Sequence, residues 1–447
     1  MRPGWTILLC VLSLLGVGLV MVQSAGMNVD PIPRPEPLDF SVGAADLVVP
    51  ETPAPDDPAL ADALLDVATS RPAIYAALAL LATAIAASTP AGLLRRLDQL
   101  ADVRRPALVL AGVTLALLAV LALVYVPGLQ REAKGAARWI EVPAPVLGTA
   151  SFQPSELTKW VLPAAIAAYA AACGTRLRDL GRGLLPAGVA IGTACGLIVL
   201  EDLGTAVLIA AACGLVLFAG GMRWWHLGAL ATLAVAGAWQ AVRTSPYRME
   251  RITSFLDPWA SPRDGGYHMI QSLAAIAGGE GTGRGLGNGL HKLGYLPEDT
   301  TDFLFAIICE ELGIVGAAMV LGLFGLLIWA CVGVVRGEQG PVARLVALGI
   351  AGTVAMQALM NLSVVAGLGP TKGIALPLVS AGGTGWVLTG ASLGLLVAMD
   401  RRQARAAAGE EAPRRASHAP TPRAIVEPRP PRRPRSRRRT HPAEVVA

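Results

Sequence analysis

The chain has 447 residues, of which 53% are hydrophobic and only 15% are charged, and its mean hydropathy is +0.54. Soluble domains carry about 25% charged residues, so this composition excludes a soluble globular protein and indicates an integral membrane protein. The six cysteines all fall inside apolar runs without a CxxC pair, which argues against a disulfide framework and against a zinc site.

Several apolar runs are long enough to cross a bilayer core about 30 Å thick. In chain order they lie near 5–24, 72–93, 106–126, 156–173, 184–200, 204–221, 225–242, 303–333, 344–367 and 384–400. The expected fold class is therefore an all-α polytopic membrane protein with about ten transmembrane helices. The first run has features of a signal peptide, with Arg2 before it and Ser24 after it, but its apolar length favours a retained helix.

The distribution of positive charge predicts the orientation. Arginine-rich short loops near 95–105, 176–182, 223 and 336–344 alternate with loops that mostly lack Lys and Arg, so these loops and both termini are expected in the cytoplasm. The large loop 243–302, between helices 7 and 8, is then extracytoplasmic. Some cations lie on this outer side against the rule, namely Arg131, Lys134, Arg138, Arg243, Arg248, Arg251, Arg263, Arg284, Lys292 and Lys372. Taken together, these cations indicate a bound anion. Any single one is explained more simply by pairing with a local acid or by contact with water.

Two segments lack an apolar periodicity that could form a core. Residues 27–70 are rich in Pro, Asp and Glu and are expected to form a poorly ordered outer loop with one short helix near 58–69. Residues 401–447 are rich in Arg, Pro and Ala and are expected to be a disordered cytoplasmic tail. The tail is better explained by attraction to anionic lipid than by binding of nucleic acid, so no nucleic-acid partner is predicted.

Common catalytic motifs are absent from the sequence. The alternating glycines at 281, 283, 285, 287 and 289 do not match GxGxxG, and there is no GxxxxGK[ST], HExxH or GxSxG. The remaining candidates are ionisable residues within the membrane or at its edge. Burying a charge there is energetically unfavourable, so such residues are functional candidates by default. They are Glu156, Lys159, Glu201, Asp202, Asp302, Glu310 and Glu311.

Five of these positions have a plain structural explanation beside the functional one. Glu156 and Lys159 are three residues apart on one helix face, so either an ion pair or a substrate role fits them. Glu310 and Glu311 lie roughly 12–14 Å along the helix from Asp302, which favours a structural hydrogen-bonding role. Asp302 opens the eighth run, where the helix dipole alone favours an acid.

Five motifs, in order, resemble the SEDS family of shape, elongation, division and sporulation proteins, which includes FtsW and RodA. They are FQPSELTKW (152–160), EDLGT (201–205), FLDPW with GYHMIQSLAAI (255–259 and 266–276), GRGLGNGLHKLGYLPEDTTDFLFAIICEELGIVG (283–316) and MNLSVVAGLGPTKGIALPLVSAGG (360–383). The resemblance covers residues 1–400, and PTKG at 370–373 is closer to the FtsW branch. Two positions depart from the family pattern: Glu201 stands where the family usually has proline, and Ala381 where it usually has an aromatic residue.

The resemblance implies a peptidoglycan glycosyltransferase that polymerises lipid II at the outer face of the cytoplasmic membrane, in septal synthesis. By this similarity Asp302 is the essential acid, and as a base it would deprotonate the 4-hydroxyl of the acceptor sugar. Substrate-binding residues are expected among Lys372, Arg243, Arg248, Lys159, Glu156, Ser380 and Gln271. The first four are candidates for contacts to the departing diphosphate. The glycines at 278–289 are expected to let a mobile loop approach the sugar and lipid.

Two other functions remain open at this point. A lipid II flippase would use the same polar helices, although alternating access favours a site near the midplane rather than an acid at the rim. A non-catalytic divisome scaffold would make Asp302 replaceable. No metal site and no tightly bound cofactor is expected, and a need for Mg²⁺ or Mn²⁺ is left open. The expected partners are lipid II, a class B penicillin-binding transpeptidase and other divisome membrane proteins.

Overall fold

The computed structural model describes residues 2–26, 67, 69–128, 130–133, 136–144 and 148–409. Its helices are α1 (Pro3–Ala25), α2 (Arg71–Ala87), α3 (Ala91–Asp98), α4 (Pro106–Ala122), α5 (Pro154–Cys173), α6 (Leu185–Glu201), α7 (Leu203–Ala219), α8 (Trp224–Arg243), α9 (Pro246–Leu256), α10 (Tyr267–Gly278), α11 (Leu304–Gly337), α12 (Pro341–Val365) and α13 (Thr384–Ala407). Short 3₁₀ turns follow α3, α4 and α5. The predicted all-α membrane architecture is confirmed.

Helix starts follow local sequence signals. Proline opens five of these helices, at Pro3, Pro106, Pro154, Pro246 and Pro341. A proline fits there because its missing N–H has no intrahelical partner in the first turn and its fixed φ suits the helix. The start of α7 uses a side-chain cap instead, since the backbone N–H of Thr205 donates to Oδ1 of Asp202 at 3.0 Å.

Six described helices are long and apolar enough to cross a membrane: Pro3–Ala25, Pro106–Tyr125, Pro154–Arg178, Leu180–Glu201, Leu304–Gly337 and Pro341–Val365. A seventh crossing is possible at Arg71–Ala87 with Ala91–Asp102, which are bent by 76° at their junction, and Leu203–Ala219 is a shorter apolar helix. Nine of the ten predicted apolar runs each coincide with one helix of the structure, and the run 72–93 spans the bend between α2 and α3. The count of ten crossings stays a prediction.

The core is centred on α12, which packs against α11, α5 and α7. Helix α1 also packs against α11, and its Ile7, Leu14 and Met21 are buried. The first apolar run is thus an integral part of the packed bundle. Helix α8 contacts α7 and α9, and its Leu233, Val235 and Trp239 are exposed, as expected for side chains that face lipid.

A small sheet forms between α4 and α5, which the sequence analysis did not predict. Its strands β1 (Gln130–Ala133), β2 (Ala136–Ala144) and β3 (Gly148–Phe152) are antiparallel in the order β1-β2-β3. Ile140 of β2 pairs with both Gln130 and Phe152 and is buried. The sheet places Arg138 and Trp139 beside the cavity described below.

Helix α11 is broken at Gly313, whose φ of 60° and ψ of −154° are rarely adopted by residues with a side chain. The glycine-rich segment 279–289 packs into this break. A Cβ at Gly279 would lie 1.9 Å from the carbonyl oxygen of Cys309, and one at Gly283 would lie 2.2 Å from that of Glu311. At these two positions the close approach is to α11 and not to a substrate, which corrects the expectation there. For the other glycines of 278–289 the expectation stays a prediction.

The last helix passes the boundary at residue 400 that the sequence suggested. The Arg402 guanidinium donates to Asp98 at 3.3 Å and to Glu338, and Gln403 donates to the carbonyl of Val334 at 3.0 Å. These partners hold the first residues of the predicted tail in a helix. The rest of that tail beyond residue 409, and residues 27–66 of the acidic loop with most of the short helix proposed near 58–69, lie outside the described residues.

Candidate active site

One end of the helix bundle holds a cavity of about 760 Å³. The chain alternates direction, so the starts of α5, α7, α11 and α13 meet the ends of α6, α8 and α12 at this end of the bundle. The charged side chains that line the cavity are Arg138, Glu156, Lys159, Glu201, Asp202, Arg248, Arg251, Glu298 and Asp302. Residues distant in sequence thus share one polar chamber in an otherwise apolar bundle.

Asp302 lies in the cavity wall just before α11 begins at Leu304. The sequence analysis placed Asp302 in the first helical turn, whereas the structure places it two residues before that turn begins. The turn before it is tight: Glu298 has a φ of 62°, and its carboxylate accepts a hydrogen bond from Oγ1 of Thr301 at 2.8 Å. A Cβ on Gly373 would lie 3.3 Å from the Oδ2 atom of Asp302 and 3.7 Å from the Nη1 atom of Arg138. The absence of a side chain at Gly373 leaves space beside both groups.

Glu156 and Lys159 form the ion pair considered from the sequence, and they also line the cavity. The Lys159 Nζ donates to Oε2 of Glu156 at 2.6 Å and to Oε1 of Gln357 at 3.0 Å, and Lys159 is only 1% exposed. A buried lysine needs such partners, since an unpaired charge at this depth is costly. The two explanations from the sequence, ion pair and substrate contact, are thus compatible.

The predicted diphosphate contacts fall into different environments. The Arg248 guanidinium donates to the carbonyl oxygens of Val199 and Leu200 at 2.6 and 2.9 Å and lines the cavity. Neither Arg243, in the last turn of α8, nor Lys372 is among the cavity-lining residues. Burial lowers the pKa of the Lys372 ammonium, and the charge of Asp202 opposes that effect. The roles assigned to these residues stay predictions.

Ser380 and Gln271 were also expected to bind substrate. Ser380 lines the cavity and is buried, and its Oγ accepts a hydrogen bond from the Leu376 backbone N–H at 3.1 Å. Gln271 lies on α10, away from the lining residues. The structure brings Asp302, Glu156, Lys159, Arg248 and Ser380 together in one chamber and leaves Arg243, Lys372 and Gln271 outside its lining.

Two buried amides of α12 were missed by the sequence analysis. Gln357 and Asn361 are one helical turn apart and reach the segment 373–376 as well as the walls of the cavity. The signal was present in the sequence, since two amides spaced four apart in an apolar run lie on one face and mark a polar contact inside a bundle. Arg251 was noted only as an outer cation, yet it lines the cavity and donates to the carbonyl of Thr371 at 3.2 Å.

Glu310 and Glu311 are fully buried and hold the glycine-rich segment in place, which confirms their predicted structural role. Glu310 accepts hydrogen bonds from the backbone N–H groups of Leu290 and His291 at 2.9 and 3.2 Å. Glu311 accepts from Gly287 N at 3.0 Å, from Ser24 Oγ at 2.9 Å and from Lys292 Nζ at 2.8 Å. This network ties the end of α1 to the segment that leads to Asp302.

The two positions that depart from the family pattern also lie in the cavity wall. Glu201 accepts a hydrogen bond from the hydroxyl of Tyr125 at 3.3 Å. The backbone N–H of Ala381 donates to the carbonyl of Thr300 at 2.9 Å, a contact that any side chain permits. Among the described residues, no group of three or more His, Cys, Asp or Glu side chains is arranged to hold a metal ion, so a need for a divalent cation stays a question for experiment.

Residues 69–405 match the family model of the cell cycle proteins FtsW, RodA and SpoVE. The chain is 36% identical over 420 residues to "Probable peptidoglycan glycosyltransferase FtsW" of Alkalilimnicola ehrlichii, covering 93% of both chains. It is 41% identical over 317 residues to the protein of the same name from Halomonas elongata, covering 69% of this chain and 77% of that protein.

Solved structures show the same architecture. One, from a study of polymerisation and crosslinking by a peptidoglycan synthase complex, aligns with a TM-score of 0.63 at 28% identity and covers 89% of this chain and 98% of its own. The crystal structure of the rod shape determining protein RodA from Thermus thermophilus aligns with a TM-score of 0.53 at 25% identity, covering 89% of this chain and 97% of its own.

Proposed function

We propose, from the premise that this chain belongs to the FtsW, RodA and SpoVE family of cell cycle proteins and to its FtsW-like branch, that it is a peptidoglycan glycosyltransferase. Its substrate is lipid II, the undecaprenyl-diphosphate-linked disaccharide peptide, and its product is a glycan strand for septal cell-wall synthesis. The names of the relatives and the resemblance of the motifs both support this activity.

The observation that carries this proposal is the position of Asp302 in the wall of the polar cavity, where its Oδ2 atom lies 3.3 Å from the point that a Cβ on Gly373 would occupy. A volume of about 760 Å³ lies within the range of ligand-binding pockets. A sugar hydroxyl is a weak nucleophile that needs a positioned base, and a carboxylate at the rim of a chamber can supply it.

In the proposed reaction, Asp302 takes the proton of the 4-hydroxyl of the acceptor sugar. The hydroxyl oxygen forms a bond to the anomeric carbon of the lipid-linked donor, and the bond from that carbon to the phosphate oxygen breaks with its electron pair. The products are a glycosidic bond of inverted configuration, undecaprenyl diphosphate and a protonated Asp302. Cations that line the same cavity, Arg138, Lys159 and Arg251, are placed to offset the charge on the departing diphosphate.

The site works at the outer face of the cytoplasmic membrane in this proposal, with both termini in the cytoplasm. The charge bias of the loops supports this orientation. A class B penicillin-binding transpeptidase is the proposed partner, because one structural relative belongs to a study of a synthase complex that coordinates polymerisation with crosslinking. Other divisome membrane proteins are further proposed partners.

The test is a polymerisation assay with purified protein and labelled lipid II in detergent, with and without the cognate transpeptidase. Detergent micelles have no second compartment, so transport cannot contribute to the signal. The proposal predicts glycan strands longer than the starting disaccharide. Absence of strands under both conditions, with folded protein that still binds lipid II, would favour the flippase or the scaffold function instead.

A further inference from the structure

Two amide side chains interrupt the apolar face of α12 close to the cavity. Gln357 and Asn361 are 6% and 2% exposed, so both are buried. Burying an amide is unfavourable unless its hydrogen bonds are formed, and at membrane depth water does not replace them. The hydrogen-bond partners of these two amides therefore indicate their role.

Asn361 joins two segments that are far apart in the sequence. Its Nδ2 donates to the backbone carbonyl oxygens of Asp302 at 2.7 Å and of Ile374 at 2.8 Å. Both neighbours are carbonyls, so only the amide nitrogen can face them. The Oδ1 atom is buried without a hydrogen-bond partner among the described residues. The side chain is thus oriented so that its nitrogen donates two hydrogen bonds, while leaving Oδ1 unpaired costs free energy.

Gln357 makes a matching connection one helical turn earlier. Its Nε2 donates to the carbonyl of Ala375 at 2.8 Å, and its Oε1 accepts the hydrogen bond from Lys159 Nζ at 3.0 Å. The two amides together tie the segment 373–376 to Asp302 on one side and to Lys159 on the other. Gly373, which leaves the space beside the carboxylate of Asp302, opens this segment.

A third polar residue on the same face behaves differently. Thr353, one turn before Gln357, donates its Oγ1 hydrogen to the carbonyl of Gly349 in its own helix at 2.8 Å. Its hydroxyl is therefore paired within α12, and among the described residues it forms no side-chain hydrogen bond to the cavity walls. The reach of Gln357 and Asn361 across to other segments is therefore specific to these two positions.

We propose that Asn361 and Gln357 are positioning residues that fix the backbone of Asp302, the segment 373–376 and the ammonium of Lys159 as one unit. Asn361 sets where the Asp302 carboxylate stands relative to the space at Gly373. The catalytic part of this inference rests on the proposed glycosyltransferase function, whereas the positioning itself does not. A displacement of about 1 Å in a catalytic group can reduce turnover by about 10²-fold.

The experiment compares Asn361→Ala with Thr353→Val as the matched control on the same helix face. Hydrogen–deuterium exchange should rise in peptides that cover 298–306 and 371–378 for Asn361→Ala, and remain at wild-type levels elsewhere and throughout Thr353→Val. In the lipid II assay, kcat of Asn361→Ala should fall by about 10²-fold with little change in KM, because the substrate contacts are retained. In an Asp302→Asn background the same substitution should add little further loss, because both changes act on one group.

Three results would overturn the inference: wild-type exchange in both segments, a rise in exchange spread over the whole chain, or an undiminished further loss in the Asp302→Asn background. If Asn361→Ala does not fold, Gln357→Glu replaces it, since a carboxylate keeps the contact with Lys159 but replaces the donor to Ala375 with an oxygen that the carbonyl repels. Exchange should then rise at 371–378, and wild-type exchange there would contradict the inference. The exchange readout is independent of activity, so a failure of the proposed function is distinguishable from a failure of the positioning role.

Discussion

Two acids of the same loop, Asp299 and Asp302, lie in different environments. Burial raises the pKa of the Asp299 carboxyl, while the backbone N–H groups of Thr300 and Asp299 and the charge of Lys292 partly oppose this rise. Asp302 instead stands at the cavity beside Gly373. The environment of Asp299 therefore predicts how stability depends on pH, and that of Asp302 predicts catalytic activity.

The raised pKa of Asp299 predicts a pH-dependent stability. The folded state binds this proton more tightly than the unfolded state, so the contribution of Asp299 to folding weakens as the pH rises from about 4, the ordinary aspartate value, through the raised folded pKa. Asp299→Asn removes the titration, and its melting temperature relative to the wild type should therefore rise across this window and then level off. Thermal melts in detergent measure this.

The exposed Asp264 provides the control for that experiment. Asp264→Asn should melt in parallel with the wild type at every pH. A constant difference between Asp299→Asn and the wild type from pH 4 upward would show that Asp299 does not titrate with folding.

At the scale of elements, the junction between the glycine-rich segment and the break in α11 depends on close backbone contact. Two glycines two residues apart differ sharply: a Cβ at Gly279 would meet the carbonyl oxygen of Cys309 at 1.9 Å, whereas one at Gly281 would meet nothing within 4 Å. The Arg284 and Gly285 N–H groups also donate to the carbonyls of Glu310 and Glu311 at 3.0 and 2.9 Å, which satisfies groups near the helix break.

Gly279→Ala should therefore destabilise the protein by about 1–3 kcal/mol, the usual range for overpacking. Gly281→Ala should leave stability near the wild-type value, because the added methyl group enters open space. Melting temperatures and the yield of monodisperse protein compare the two variants. Equal behaviour of the pair would mean that the segment does not pack on α11 as described.

The elements differed in how far the sequence could predict them. The long helices were predictable because a bilayer demands long apolar runs, and each run except 72–93, which is divided by a bend, became one helix. The close contacts of Gly279 and Gly283 with α11 were not predictable, because a glycine alone does not reveal whether a backbone, a substrate or solvent lies opposite. Asn361 was visible as a polar residue in an apolar run, but its partners, Asp302 and Ile374, are set by tertiary packing.

At the scale of the whole molecule, alternation of helix direction gathers residues of four of the five motif segments around one cavity, whereas 255–259 and 266–276 supply none of its lining residues. The resemblance predicted Asp302 as the base and Lys159, Glu156 and Arg248 among the substrate-binding residues, and the structure places all four around one cavity. The side of the membrane to which this end belongs is a prediction from loop charge.

Cysteine accessibility tests that orientation. Single cysteines at Phe40 and Asp264 should react with an impermeant reagent applied from outside, and cysteines at Arg178 and Pro420 only after the cytoplasmic side is opened. The native cysteines are replaced first, since six are present. Labelling of position 264 from the cytoplasm would place the cavity on the wrong side for lipid II polymerisation.

The most direct test of the central claim compares wild-type protein with Asp302→Asn in the polymerisation of purified lipid II. The asparagine keeps size and much of the hydrogen bonding but removes the base, and general-base catalysis contributes typically about 10²–10⁴-fold, so polymerisation should fall by at least about 10²-fold. Folding and lipid II binding should persist, and Asp299→Asn should lose far less activity. Polymerisation by Asp302→Asn near the wild-type rate would contradict the assignment of Asp302 as the base.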